Sequence, residues 1–294
     1  MPSIFKLTAI LLLFFVCCCN HSSDNNLDAG DPIDGGNDQE FDCSGVIKFE
    51  DPNLEEIIRN EIQKPEGDIR QEDIADIRIL FAEYLEIADL GGIECLVSLE
   101  FLDLSQNNIK DIAPLRNLSK LKELILTENI ITTINALASM SALEIIYMEK
   151  NQIENISTIS NITALREIYF SDNKIDNIVA IENLTNLRLI NFVDNYISHI
   201  PSLAKLTNIR ELNLTGNKIK NLSAFSDVSN SSYDRYFGLQ DNNISDLSPL
   251  VDNLDGINEG NTINLKTNPI NCEGQSENIE ALKQRLVDVI TDCD

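Results

Sequence analysis

Apolar residues recur along most of the chain in a frame of 22 residues, and an asparagine marks each copy. The copy that begins at Leu99 reads L-x-x-L-x-L-x-x-N-x-I-x-x-I-x-x-L-x-x-L. Its L-x-L segment alternates apolar and polar positions, which predicts a short strand with one buried face. The following copies begin at Leu121, Leu143, Leu165, Leu187 and Ile209. We therefore expect a repeat protein in which every copy contributes one strand.

The asparagines fix the register of the copies. The first six lie 22 residues apart, and two longer units follow after steps of 25 and 26 residues, with an insertion at 226–233 that predicts a loop. A degenerate first unit carries Leu85 at the asparagine position. Because an amide both donates and accepts hydrogen bonds, we expect these side chains to satisfy buried backbone groups rather than bind a ligand. The predicted ladder is Asn107, Asn129, Asn151, Asn173, Asn195, Asn217, Asn242 and Asn268.

One copy cannot bury its apolar positions without the next copy, so the copies must stack and both ends of the stack need a cover. At the N-terminal end, Asp51 is predicted to cap a helix that has Pro52 at its first position. The predicted apolar stripe of this helix consists of Leu54, Ile57, Ile58 and Ile62. This helix is expected to cover the first repeat.

A second helix is predicted at the C-terminal end of the stack. The segment Asn268-Pro269-Ile270 is expected to end the ladder, and the helix would begin at about Ser276. Its apolar face would consist of Ile279, Leu282 and Leu286.

The N-terminal residues do not follow the repeat frame. An apolar run at 7–16 after Lys6 is too short to span a membrane but has the length of a signal-peptide core. It ends at three cysteines, and aliphatic residues followed by a cysteine resemble the lipobox of bacterial lipoproteins, in which the cysteine thiol is acylated. That resemblance implies lipid attachment at Cys19, with Cys18 as the second choice and an ordinary signal peptide with a secreted product as the alternative.

These patterns divide the chain into five segments. We predict a lipoprotein-type signal peptide at 1–19, a disordered acidic tether at 20–42, an N-terminal cap at 43–76, repeats at 77–270 and a C-terminal cap at 271–294. The tether is rich in Asp, Asn and Gly and has few large apolar residues, so it cannot offset the entropy of ordering.

The charge is strongly acidic, with 22 Lys+Arg against 48 Asp+Glu and a formal net charge of -26. Such a chain repels phosphate backbones, so we expect no nucleic-acid partner. It attracts basic surfaces instead, although the same charge also serves solubility.

Four cysteines follow the predicted lipid-attachment site. An exported protein meets an oxidising environment, in which disulfides form, and four thiols allow three pairings. We expect Cys272–Cys293, which would hold the C-terminal helix, and Cys43–Cys95, which would join the N-terminal cap to the first repeats. Free thiols are the alternative for the first of these pairs.

The 22-residue frame, with isoleucine at the two apolar positions after the asparagine, resembles the internalin-type leucine-rich repeats of bacterial surface proteins. The segments 51–57 (DPNLEEI) and 66–69 (EGDI) resemble the helical cap that precedes such repeats. The resemblance covers about 43–270. It implies an α/β solenoid, a leucine-rich-repeat right-handed superhelix with a short parallel sheet on its concave side, helical caps at both ends, extracellular display and protein recognition.

The residues that flank the buried leucines of each strand are expected to face the concave side. They alternate between apolar or aromatic groups and carboxylates, which is the composition of a protein-binding surface. The residues expected at its charged rim are Asp103, Glu123, Glu149, Glu167, Asp172, Asp194 and Glu211. The predicted partner-binding residues are Phe101, Ile125, Ile145, Tyr147, Tyr169, Leu189, Glu123, Glu167 and Glu211. The alternative is that these side chains only suit a strand and bind nothing.

The sequence contains no G-x-S-x-G, P-loop or H-E-x-x-H motif, and its histidines, His21 and His199, lie far apart. We therefore expect no enzyme activity, no cofactor and no metal. The predicted function is a monomeric, surface-displayed module that binds a protein or peptide with basic and apolar features and is held at a membrane by the N-terminal lipid. The alternative is a structural envelope lipoprotein that acts as a spacer or assembly scaffold.

Overall fold

The computed structural model describes residues 43–230 and 233–293. The predicted signal peptide, the lipid-attachment cysteine and the tether lie outside the described residues. Within these ranges the main element is one parallel sheet of ten strands, in which each strand pairs with the strands before and after it in the sequence. The repeat fold predicted from the sequence is therefore confirmed.

The strands are short, and the first seven begin 22 residues apart. They are β1 (Ile79–Phe81), β2 (Phe101–Asp103), β3 (Glu123–Ile125), β4 (Ile145–Tyr147), β5 (Glu167–Tyr169), β6 (Leu189–Asn191), β7 (Glu211–Asn213), β8 (Arg235–Gly238), β9 (Asn261–Asn264) and β10 (Asp288–Ile290). The central residues of neighbouring strands lie side by side, as Leu102, Leu124 and Ile146 do. Each of these three side chains is fully buried, so one continuous core runs beneath the sheet.

The chain returns from one strand to the next largely through single turns of 3-10 helix. These turns span Ile93–Cys95, Ala113–Asn117, Asn135–Ser139, Ser157–Asn161, Val179–Ile181 and Ser223–Asp227. A 3-10 turn takes few residues, and each one buries an aliphatic side chain such as Leu115 or Leu137. The helices are α1 (Pro52–Glu61), α2 (Gln71–Ile74), α3 (Ser248–Asp252) and α4 (Ser276–Gln284).

The periodic asparagines lie at the strand ends, where they join consecutive copies. The Nδ2 group of Asn151 donates to the carbonyl oxygens of Leu126, Met148 and Glu149 at 2.9, 3.2 and 3.2 Å. Its Oδ1 accepts from the backbone N–H of Ile131 at 3.0 Å. The ladder asparagines up to Asn242 are 4–8% exposed, and Asn268, although more exposed, makes the same set of bonds. The amides therefore hold the backbone of one copy to the next.

Helix α1 begins at the cap that the sequence predicts. Asp51 Oδ1 accepts from the N–H of Asn53 at 2.9 Å, and Asp51 Oδ2 accepts from the N–H of Ala88 at 2.8 Å. Burial opposes the charge of this carboxylate, but four backbone donors hold the pKa of Asp51 below its ordinary value. The side chains of Leu54 and Ile58 are fully buried. One carboxylate thus both starts the helix and joins it to the first repeats.

The C-terminal segment differs from the sequence-based expectation in two respects. Asn268 is the last ladder asparagine, but the sheet continues beyond 268–270, because β10 pairs in parallel with β9 and buries Val289 in the core. The prediction that Leu286 lies on the buried face of the helix is wrong, since α4 ends at Gln284 and Leu286 is 65% exposed. Its backbone adopts a φ of 61°, which turns the chain back toward the sheet edge.

Two disulfides are present, in the pairing expected from the sequence. Cys43 is joined to Cys95 and Cys272 to Cys293, with Cα–Cα distances of 5.6 and 5.2 Å. The first bond connects the segment before α1 to the first 3-10 turn, and the second encloses α4 and β10. Among the described residues, none of the helices is long and apolar enough to cross a membrane.

Candidate binding face

The face of the sheet that points away from the core carries two columns of side chains, and we refer to it as the concave face. The strand register places Phe101, Glu123, Ile145, Glu167, Leu189 and Glu211 in the first column. It places Asp103, Ile125, Tyr147, Tyr169 and Asn191 in the second. Residues 22 apart in the sequence therefore become direct neighbours. The nine predicted binding residues all lie in these columns and are partly exposed.

Tyr147 and Tyr169 form the centre of the concave face. Their ring centroids lie 4.5 Å apart and the rings are nearly parallel, at 7°. The Tyr169 hydroxyl donates to Glu167 Oε2 at 3.1 Å. Burial and the neighbouring carboxylates of Glu167 and Glu123 raise the pKa of Tyr147 to about 12. The pKa of Tyr169 is raised by the same kinds of cause, so both phenols stay neutral at physiological pH.

The apolar surface extends further toward the N-terminus than the sequence pattern indicated. Ile79 and Phe81 of β1 are 46% and 51% exposed, and the Phe81 ring lies 4.9 Å from that of Phe101. Neither residue was predicted as part of the binding face, because the first repeat is degenerate and carries Leu85 instead of the asparagine. The alternation of Ile79 and Phe81 around the buried Leu80 was the signal that could have found them.

Carboxylates alternate with the apolar groups and repel one another. Burial, Glu167 and Asp103 raise the pKa of Glu123 above its ordinary value. Burial also raises the pKa of Glu149, even though the Thr127 hydroxyl donates to Glu149 Oε2 at 2.7 Å. A cation from outside the chain would relieve both effects, because it would stabilise the charged form of each carboxylate.

Asp103 does not belong to the exposed rim, in contrast to the prediction from sequence. It is only 3% exposed, and its Oδ1 accepts from the N–H and the hydroxyl of Ser105 at 2.9 and 2.6 Å. Its neighbours across the ladder, Phe81 and Ile125, are larger and leave the short aspartate side chain buried between them. Each of the other predicted rim residues is at least partly exposed.

Other kinds of site have less support in the part of the chain that the structure describes. No group of three or more His, Cys, Asp or Glu side chains there could hold a metal ion. A separate, open groove on the flank after the asparagine ladder is lined mostly by polar residues, and in it the Lys218 ammonium lies 4.3 Å from the centre of the Tyr196 ring. Small-molecule sites are usually enclosed and mostly apolar, so this groove is a weaker candidate than the concave face.

Comparison with known proteins agrees with this architecture. The family model described as Leucine Rich repeats (2 copies) matches residues 97–139. A search of curated proteins found no match.

The solved structures with a similar fold include two internalins of Listeria monocytogenes. The internalin inlF is 27% identical, over 83% of this chain and 75% of that protein, with a TM-score of 0.66. Internalin C2 is 24% identical, over 83% and 94% of the two chains, with a TM-score of 0.58. A plant receptor kinase ectodomain from Arabidopsis thaliana, in complex with CASPARIAN STRIP INTEGRITY FACTOR 2, is 21% identical over 69% of this chain and 26% of that one, with a TM-score of 0.55.

The chain therefore has a leucine-rich-repeat solenoid fold, which is similar to that of internalins. This fold is typical of protein-interaction modules. The two disulfides, together with the internalin-like fold, indicate an exported protein, because disulfides persist in oxidising compartments.

Proposed function

We propose that this protein is a surface-displayed recognition module that binds a protein or peptide across its concave face and has no catalytic role. The observation that carries the proposal is the stacked pair Tyr147 and Tyr169, which is partly exposed in the middle of a sheet face that no other element of the described residues covers. Rigid aromatic groups lose little entropy on binding, so they often contribute most of the affinity of an interface.

The charges around the tyrosines define the chemistry of the partner. Glu123, Glu167 and Glu211 lie in one column beside the pair, and burial together with neighbouring carboxylates raises the pKa of Glu123. A partner with basic side chains next to apolar ones would pair with these carboxylates and cover the tyrosines and Ile145. Nucleic acid is not proposed, because a chain with a net charge of -26 repels it.

The proposal includes a location for this module. Acylation of Cys19, or of Cys18 as the second choice, would hold a monomer at a bacterial membrane, with residues 20–42 as an acidic tether. Mass spectrometry of the intact exported protein tests this part: a lipid-modified N-terminal cysteine would support it, and an unmodified mature chain would indicate secretion.

Binding is tested with a library of random twelve-residue peptides displayed on phage, selected against the full exported protein. The affinities of the selected peptides would then be measured for the variant Tyr147→Ala with Tyr169→Ala. We expect a loss of about 30-fold or more, since truncation of a hot-spot residue costs about 2 kcal/mol. The matched control is Tyr196→Ala with Val179→Ala, which shortens two half-exposed side chains on the flank.

The two variants separate binding at the concave face from binding elsewhere. Peptides that bind the tyrosine variant as tightly as the wild type would reject the concave face. Such a result would favour the role of a structural spacer or assembly scaffold in the envelope.

A further inference from the structure

A third column of side chains lies along one edge of the concave face, at the residue before each strand or at its start. We call it the edge column, and its members are Arg78, Glu100, Lys122, Glu144, Arg166, Arg188, Arg210 and Arg235. From Glu100 to Arg210, each N–H donates to the carbonyl oxygen of the previous member at 2.7–2.8 Å. Neighbouring strands lie about 5 Å apart, so the Cα atoms of successive members of the edge column have about this spacing.

Opposite charges alternate in the first part of the edge column. Glu100 accepts from Lys122 at 2.7 Å and lies 3.5 Å from Arg78. Glu144 pairs with Arg166 at 2.9 Å. These contacts hold the pKa of Glu100 below its ordinary value, chiefly through the hydrogen bond from Lys122. The chain therefore compensates its own charges along this part of the edge.

The alternation stops after Arg166, because the next three members are all arginines. Arg188 is exposed and forms no ion pair with any described residue. The guanidinium of Arg210 lies 4.6 Å from the centre of the Tyr233 ring and pairs with no carboxylate among the described residues. Arg235 is buried and donates to the carbonyl oxygens of Ser229 and Ile209 at 2.7 and 3.3 Å. None of these three cations forms an ion pair with a carboxylate among the described residues.

Three adjacent like charges are unfavourable for the fold, since like charges at neighbouring ladder positions repel. Their placement is also unusual for a chain that has 48 acidic residues and only 22 basic ones. A guanidinium presents a planar fork of N–H donors that matches the two oxygens of a carboxylate. Two guanidinium groups on neighbouring strands, about 5 Å apart, can therefore bind one acidic side chain or two adjacent ones.

The opposite edge of the same repeats carries the opposite charge. Asp172, Asp194 and Asp241 follow strands β5, β6 and β8, each with a positive φ of 53–55° that turns the chain at the strand end. Burial, Asp172 and Asp241 raise the pKa of Asp194. The C-terminal half of the concave face is thus positive along one edge and negative along the other, which would orient a ligand.

We propose that Arg188 and Arg210 bind a carboxylate of the protein partner at the edge of the concave face. The inference rests on the proposed function, because the site lies on the same face. It adds an acidic contact to a partner whose basic and apolar groups face Glu123, Tyr147 and Tyr169. The partner segment therefore carries both signs of charge, separated across the width of the sheet.

The phage-selected twelve-residue peptides provide the test. We expect the binders to contain Asp or Glu in addition to basic and aromatic residues. The affinity of these peptides for the double variant Arg188→Gln with Arg210→Gln should be lower by about 10-fold or more, because a charged hydrogen bond is lost. The single variant Arg188→Lys keeps the positive charge but lacks the planar fork of N–H donors. It should therefore show a smaller but measurable loss of peptide affinity.

The matched control is Arg78→Gln with Lys122→Gln. It removes two positive charges from the same edge column, but these cations already pair with Glu100. We expect a change of less than about 3-fold, because only the long-range field differs. Circular dichroism of each variant would verify that the fold is retained.

The outcomes distinguish the inference from the proposed function. Equal losses in the arginine and control variants would indicate general attraction and overturn the carboxylate site. Binding that depends on Tyr147 and Tyr169 but not on Arg188 and Arg210 would overturn the site and leave the proposed function intact. Peptides unaffected by either pair of substitutions would overturn both, as would the absence of any selected binder.

Discussion

Replacement of one ladder asparagine gives a sharp test of how the repeats hold together. We predict that Asn151→Ala destabilises the protein by about 2–4 kcal/mol. In the native fold the Asn151 side chain is 8% exposed and forms four hydrogen bonds to the backbone. Alanine can make none of them.

The magnitude follows from what each partner loses. The N–H of Ile131 bonds only to Asn151 Oδ1 and would be left unsatisfied in the core, at a cost of about 1–3 kcal/mol. The three carbonyl groups each keep a second donor. Leu126 retains Asn129 Nδ2, Met148 retains Asn173 Nδ2, and Glu149 retains the N–H of Glu128. Their combined loss is therefore smaller, about 1 kcal/mol.

Urea denaturation followed by circular dichroism measures the change, and amide hydrogen exchange locates it. The control is Asn155→Ala, which removes the same amide from an exposed position, where Asn155 Oδ1 accepts from the N–H of Ser157 at 2.8 Å and water can replace it. We expect the Ile131 amide to lose protection in Asn151→Ala alone. Equal urea midpoints for the two variants, with the Ile131 amide still protected, would refute the ladder argument.

Two further predictions concern the ends and the charges of the solenoid. The double variant Cys272→Ser with Cys293→Ser opens a loop with a sequence separation of 21, so the free energy of unfolding should fall by about 3 kcal/mol. The amide hydrogens of α4 and β10 should then exchange early. An unchanged urea midpoint would contradict this prediction. Glu123→Gln should stabilise the protein at pH 7. Since the folded-state pKa of Glu123 is raised, the stability linked to its protonation is present at low pH and is lost as the pH rises through that pKa. In a series of denaturation curves at different pH, the stability advantage of glutamine should therefore disappear below pH 4.5, the ordinary pKa of a glutamate. A difference in stability that persists at pH 3 would show that the charge is not the cause.

Much of the fold could be predicted from the sequence because the determining features are local or periodic. The two-residue alternation around Leu102 and Ile146 separates core positions from solvent positions without any knowledge of the neighbours. The 22-residue spacing then predicts which residues become adjacent, so Tyr147 and Tyr169 could be placed side by side in advance. Asp51 followed by Pro52 predicted the start of α1 from local backbone chemistry alone.

The tertiary structure decided what depends on the size and charge of neighbouring side chains. Asp103 is buried because Phe81 and Ile125 flank it, whereas the same column position in another repeat is exposed enough to serve as a binding residue. The strand β10 forms because the chain after α4 returns to the open edge of the sheet, and no repeat motif marks that return.

The edge column shows the same division. Its charges are visible in the sequence, but only the structure shows that Glu100 pairs with Arg78 and Lys122, whereas Arg188 and Arg210 form no ion pair among the described residues. Periodicity in the sequence determines which residues meet, because the backbone repeats itself. Packing and electrostatics determine what each contact does, because they depend on every side chain around it.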